Sequence, residues 1–265
     1  MSCYDREMRP IEKARRVGLA RALSKLGYCS RSQAMELIRA GRVTLNGTTR
    51  RDPETPVRLE RDRIEVNRRN IRAESKIYLM LNKPRGVVTT ASDEKGRDTV
   101  YSFLTAGSPW VAPVGRLDKA SEGLLLLTND SEWAARISDP ETHLEKTYHV
   151  QVGATVDKNF LAEMNNGIRI TNGEVLRAKR AAVLRSGQHN TWLEIVLDEG
   201  KNRQIRRMME ASGIEVLRLV RVAIGPLILG KLAKGDYRAL SSDEKHALDQ
   251  AMKNSGPMTS SREGL

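Results

Sequence analysis

The sequence predicts an α+β protein built in two parts, and three observations carry that expectation. Strand-like runs and helical patterns are mixed along residues 76–250 without a regular strand–helix repeat, which argues α+β over a doubly wound parallel sheet. At 265 residues there is room for a main domain with a sizeable core and a small module beside it. The charge is uneven: residues 1–75 hold 18 Lys and Arg against 10 Asp and Glu, whereas the other 190 hold 27 against 23. Two thirds of the net charge of +12 therefore sits in under a third of the chain, as expected of a nucleic-acid-binding module joined to a more neutral body.

Residues 1–13 are polar and read as a mobile arm. A module over 14–66 follows. Leu19, Ala22, Leu23 and Leu26 recur at helical spacing, and Gly27 supplies a stop. Ser30 and Gln33 fit a capping box that opens a second helix through Met35 and Ile38 to Gly41. Val43-Thr44-Leu45 meets Asn46-Gly47, a tight-hairpin pattern, and Asp62–Val66 reads as a further strand. Arg16, Arg21, Lys25, Arg31, Arg39 and Arg42 stud this unit. An ordinary solvated face is the plain alternative, and the sign bias favours contact with RNA or DNA. Residues 67–75 show no apolar period and read as a linker.

The domain expected over 76–250 opens with the strand Ile77–Leu81. Further strands are expected at Leu124–Thr128, Thr147–Val152, Trp192–Leu197 and Glu215–Val220, with helices at Glu132–Ile137, Lys158–Asn165 and Arg203–Ala211. Residues 251–265 read as a polar tail. No apolar run approaches the roughly 18 residues of a spanning helix and no signal-peptide pattern opens the chain, so the default location is the cytoplasm, with no membrane partner. Cys3 and Cys29 form no disulfide framework, and Cys29 reads as a buried free thiol. Four scattered histidines lack ligand spacing, so no metal site is expected.

Three segments could carry chemistry. In Pro113–Gly123, followed by Leu124-Leu125-Leu126-Leu127-Thr128-Asn129-Asp130, a polar glycine-flanked loop runs into an apolar strand and places Asp118 on a rigidly held loop. Taken alone, an aspartate in a loop is more often a turn former or a cap. In Leu197–Met209, a Gly200 turn leads into a helix that opens on Lys201, Asn202, Arg203, Gln204, Arg206 and Arg207. Cations there oppose the helix dipole, which makes sense if they face phosphate or a carboxylate. In His143–Val150, Tyr148 lies at a strand entry, where a tyrosine is ordinarily a half-buried sheet residue.

Leu19–Leu23, Gly27–Arg31, Gly41-Arg42-Val43 and Asn46-Gly47 together resemble the alpha-L RNA-binding module. The three chemical segments, with Leu81–Thr90 and Arg221–Leu240, resemble the RsuA/RluB-type family of ribosomal pseudouridine synthases over about residues 16–245. Gly115-Arg116-Leu117-Asp118 ahead of the leucine-rich strand is the most specific part of the match. That resemblance implies a mixed, mainly antiparallel sheet with flanking helices and a central cleft. It also implies Asp118 as nucleophile, Tyr148 as the active-site tyrosine and Arg206 as the arginine that pairs with the aspartate through a forked hydrogen-bond pair. Ala120 departs from the pattern, standing where relatives often carry a polar residue.

Isomerising uridine breaks a C–N bond, turns the base and forms a C–C bond, so electrons and atoms balance and no cofactor is expected. A carboxylate can attack the sugar carbon that bears the base, or carbon 6 of the uracil, or stabilise a cationic sugar. Tyr148 offers a flat face against the base and a titratable hydroxyl. Arg116, Lys201, Arg203 and Arg207 are candidates to hold backbone phosphates while the base leaves its stack. The chain is expected to be a monomer whose partner is ribosomal RNA or a pre-ribosomal particle, 23S RNA preferred over 16S. A transfer-RNA synthase and a non-catalytic ribosome-assembly factor stay open as alternatives.

Overall fold

The computed structural model describes residues 16–90, 96–105 and 107–254. The expected N-terminal arm, and the tail beyond Asn254, lie outside the described residues. The chain divides between Ser75 and Lys76 into two compact units.

In the first unit Val17–Gly18 (β1) leads into the helices Leu19–Lys25 (α1) and Arg31–Arg39 (α2). The Ser30–Gln33 capping box forms at the start of α2 as its sequence predicts. Each helix closes on a left-handed glycine: Tyr28 N–H donates to Leu23 O after Gly27, and Arg42 N–H to Leu37 O after Gly41. Strands Val43–Leu45 (β2), Thr48–Arg50 (β3), Pro56–Val57 (β4), Ile64–Val66 (β5) and Arg69–Ile71 (β6) follow. β3-β2-β5-β6 make one sheet, and β4 pairs with β1. Leu19, Leu23, Ile38, Val43, Ile64 and Val66 form a core from which water is nearly excluded, and Cys29 is buried beside it.

Part of the segment expected to be a linker is a strand of the first unit. Residues 69–71 are a strand paired with β5, joined to it by Asn67 and Arg68 at φ 50° and 65°. Asparagine tolerates that left-handed conformation, and two successive positive φ values make the tight turn that suits a hairpin. The segment escaped a periodicity argument because β6 exposes Arg69 and Asn70.

The second unit is built on a nine-stranded sheet. Its elements are Tyr78–Lys83 (β7), Ala112–Val114 (β8), Glu122–Thr128 (β9), Ser131–Ser138 (α3), Lys146–Val152 (β10), Lys158–Asn166 (α4), Ile168–Arg169 (β11), Val175–Leu176 (β12), Arg180–Ser186 (β13), Thr191–Leu197 (β14), Gln204–Ala211 (α5), Val216–Ile224 (β15), Leu227–Ile228 (β16), Tyr237–Ala239 (β17) and Ser242–Asn254 (α6). The strand order is β13-β14-β10-β15-β9-β7-β17, with β16 on β15 and β8 on β9; β11 and β12 pair separately. All these pairs are antiparallel except β15 with β9.

Every residue of β9 is buried, as its run of four leucines requires of a strand covered on both faces. Leu124 and Leu126 pack with Trp133 and Ile137 of α3 and Leu248 and Met252 of α6. Leu125 and Leu127 pack on the other side with Leu81, Val100 and Leu117. Met164 of α4 and Ile205, Met208 and Met209 of α5 cover Val150, Leu193 and Ile195. Helix α6 carries the unit four residues past the expected boundary at 250, because Met252 is buried in the core.

Candidate active site

Asp118 sits on the loop between β8 and β9, and its backbone is tied down from several sides. Gly115 turns the chain at φ 70°. Thr89 Oγ1 donates to Leu117 O at 2.7 Å, and Gly86 N–H donates to Lys119 O at 2.8 Å. Lys83, at the end of β7, is fully buried, and its ammonium donates to the carbonyls of Asp118 at 3.1 Å, Ser121 at 2.8 Å and Pro84 at 3.1 Å. Burial pushes Lys83 down to about 8, with Asp118 and Glu122 opposing the shift. The loop is thus rigid in its main chain, while the Asp118 side chain stays one third exposed (33%).

The forked pair expected between Arg206 and Asp118 is not the arrangement found. Arg203 Nη1 lies 3.5 Å from Asp118 Oδ2. Arg203 is the residue before α5 and adopts φ 49°, which carries its side chain back toward the loop. Arg206, one turn on, donates from Nη2 to Ala120 O at 3.1 Å, and its Nε is buried without a hydrogen-bond partner. Burial, with Arg203 and Arg85 nearby, lowers the Arg206 guanidinium while Asp118 opposes. Ala120, the departure noted in the motif, takes part through its carbonyl, which any residue supplies.

The cations crowded at the start of α5 have partners. Arg207 Nη2 is 2.6 Å from Glu174, and Lys201 lies 3.5 Å from Glu174 and 3.2 Å from Glu199. With the Asp118–Arg203 contact, these carboxylates offset the repulsion between basic groups and the helix dipole. Lys201 and Arg207 are therefore held by protein carboxylates, whereas Arg116 is exposed on the Asp118 loop.

Tyr148 on β10 pairs with Ile195 of β14 and Arg221 of β15, and packs against both the α4–α5 cluster and the cluster around Leu125 and Leu127. It faces a cavity of about 620 Å³ lined also by Arg116, Asp118, Lys201, Arg203 and Arg206. The three expected catalytic residues thus share one cavity. Arg16, Arg21, Lys25, Arg31, Arg39 and Arg42 belong to the first unit, where all but the part-buried Lys25 are exposed. Sequence reasoning missed Lys83, Lys146 and Arg221. Arg221 left a trace as a basic residue between Val220 and Val222 of an apolar strand, whereas Lys83 and Lys146 stand beside polar neighbours at strand ends and left none. Among the described residues no group of three or more His, Cys, Asp or Glu could hold a metal ion, and no helix is long and apolar enough to cross a membrane.

Residues 77–211 match the RNA pseudouridylate synthase family, and residues 17–64 match the S4 domain. The chain is 37% identical over 227 residues to ribosomal large subunit pseudouridine synthase B of Bacillus subtilis, covering 85% of this chain and 93% of that protein. It is 38% identical over 237 residues to an uncharacterized RNA pseudouridine synthase of Aquifex aeolicus, covering 89% and 95%. A crystal structure of a pseudouridylate synthase superposes with a TM-score of 0.63 at 31% identity, covering 88% of this chain and 99% of that one. The chain belongs to the RNA pseudouridine synthases, isomerases of RNA uridine, and carries an S4 domain ahead of its catalytic domain.

Proposed function

We propose that the chain isomerises a uridine of ribosomal RNA, preferably of the large subunit, with Asp118 as the nucleophile. One observation carries the reading: a carboxylate stands in the cavity on a loop pinned by Lys83, Thr89 and Gly86, aimed by Arg203 at 3.5 Å and facing the same space as Tyr148. A fixed backbone with an accessible side chain suits a group that must meet a reacting carbon at one angle. The preference for large-subunit RNA rests on the named substrate class of the Bacillus relative and on the S4 domain.

The target nucleotide leaves its stack, at a cost of roughly a few kcal/mol, and enters beside Tyr148. Asp118 then attacks the sugar carbon or carbon 6 of the uracil. Tyr148 packs against the base and keeps it in register while it turns, and Arg203 holds the carboxylate's aim. Arg206, through Ala120, braces the loop that carries the nucleophile.

Asp118→Asn is expected to abolish pseudouridine formation and leave RNA affinity nearly intact, checked by nucleoside analysis beside a filter-binding titration. Full activity in that variant would overturn the assignment. Mapping pseudouridines in ribosomal and transfer RNA from cells with and without the protein tests the substrate. A site lost from transfer RNA alone would move the enzyme to that class.

A further inference from the structure

Two cations stand in the wall of the cavity with no salt bridge to a carboxylate among the described residues, Lys146 and Arg221. Lys146 lies two residues before Tyr148 on β10, so the two side chains share one face of the sheet. Arg221 is directly across from Tyr148 on β15. All three line the cavity, as do the apolar side chains of Leu197, Leu219 and Ile224. Arg221 is only 6% exposed; its Nε donates to Leu124 O at 2.7 Å, and its Nη2 is buried with no hydrogen-bond partner. Burial pushes Lys146 below the ordinary lysine range, Arg221 adds to that shift, and Asp198 opposes it from a distance. Buried donors left unpaired are costly, and they are found where a ligand supplies the missing acceptor.

We propose that Lys146 and Arg221 are catalytic residues that bind the uracil ring at its oxygens and hold the negative charge it takes on as its bond to the sugar breaks. The inference rests on the reading that the target uridine occupies the Asp118 cavity. When the N1–C1′ bond breaks, its electron pair leaves with the uracil and spreads over N1 and the two carbonyl oxygens. C5 then bonds to C1′, C5 gives up its proton and N1 gains one, so nothing is oxidised, reduced or lost. If the carboxylate attacks carbon 6 instead, electron density moves onto the side of the ring bearing C5 and O4, within reach of the same kind of donor. Fixed cations in a water-poor wall stabilise charge that develops during reaction far more than charge already present in the ground state.

The depth of the pair argues for the base over a backbone phosphate. Arg203, with 48% of its side chain exposed, and the exposed Arg116 are open to a solvated phosphate, whereas Arg221 is 6% exposed beside Tyr148, a setting that suits a flat, neutral ring. Two neutral carbonyl oxygens on a flat ring fit that setting.

The test is a single-turnover rate at saturating RNA, with uridine or 5-fluorouridine at the target position, read as loss of that nucleoside after digestion. Fluorine withdraws electrons and makes the departing base a more stable anion. Lys146→Met is expected to slow uridine RNA by about a hundredfold at unchanged affinity, in line with the removal of one charge-stabilising donor. The loss on 5-fluorouridine RNA should be about tenfold or less, because less stabilisation is then required of the protein. Arg221→Gln should show the same split, and Lys146→Arg should recover most of the rate. Thermal melting checks folding, and Lys146→Gln replaces Lys146→Met if the latter does not melt cooperatively.

Equal losses on the two substrates would make the pair structural and overturn the proposal. Weaker binding with an unchanged saturated rate would assign the pair to phosphate and overturn it too. Asp118→Asn is run alongside. Full activity there would overturn the reading of the cavity itself. An inactive Asp118→Asn beside an unimpaired Lys146→Met would overturn only the inference about the two cations.

Discussion

Lys83 directs its ammonium at three carbonyls and so joins the end of β7 to the Asp118 loop. Its pKa of about 8 in the folded chain lies below its ordinary 10.5, so between those values the unfolded chain holds a proton that the folded chain has released. The contribution of Lys83 to stability therefore rises with pH across that window, and the penalty for burying its charge is complete below about 8. Activity should move the other way, falling above about 8 as the neutral amine loses a donor and the loop loosens. Lys83→Met is expected to cut turnover by about tenfold or more, since small misplacements of reacting groups are expensive. Its melting temperature should change little, because an apolar chain of similar length removes a buried charge. A pH series of melting and of turnover in both proteins checks the opposed trends. That Asp118, Tyr148 and Arg206 share one cavity was legible in the sequence only through the resemblance of their segments to a single family. The partner of Asp118 was not, since choosing Arg203 over Arg206 depends on a left-handed backbone turn just before α5.

Where β9 meets β15, Gly123 has no room for a side chain. A Cβ added to Gly123, which lies at φ 101°, would stand 2.2 Å from the Arg221 carbonyl oxygen. Gly123→Ala should therefore destabilise the catalytic unit by about 2 kcal/mol or more and shift Arg221, measured by denaturant unfolding. Glu174, next to β12, acts differently: it bridges Lys201 and Arg207. Glu174→Gln should release Arg207, while Lys201 keeps Glu199, and so tighten RNA binding and steepen the slope of affinity against salt by about one phosphate equivalent. Titrations across a salt series read this directly. Among the elements, strongly periodic segments such as α1, α2, β9 and β14 were legible. Exposed or polar ones were not: β13 keeps five of its seven residues exposed, and β6 turns on Asn67-Arg68 without a glycine. Helix α6, for which no expectation was made, opens on a Ser241–Glu244 pair in which each side chain accepts from the other's main-chain N–H.

At the scale of the whole molecule, the charge asymmetry and the change of pattern near residue 75 were enough to anticipate two units. The boundary itself needed β6, whose pairing brings Arg69–Ile71 into the first unit. In that unit, Arg21→Ala with Arg31→Ala should weaken RNA affinity and flatten its salt dependence by about one phosphate per side chain, leaving the saturated single-turnover rate unchanged. An unaltered slope would remove those arginines from the RNA contact. The one parallel pairing of the large sheet, Glu122-Gly123 with Val220-Arg221, has a consequence for how the enzyme comes into being. It joins positions nearly a hundred residues apart, and contacts of that span form slowly because a long loop must close before they stabilise anything. Asp118 precedes that junction and Arg221 lies in it, so a chain still emerging from the ribosome has its motif long before it has a pocket. The lining of that pocket runs from Val114 to Ile224, so a chain released before Ile224 has been added lacks part of the cavity wall.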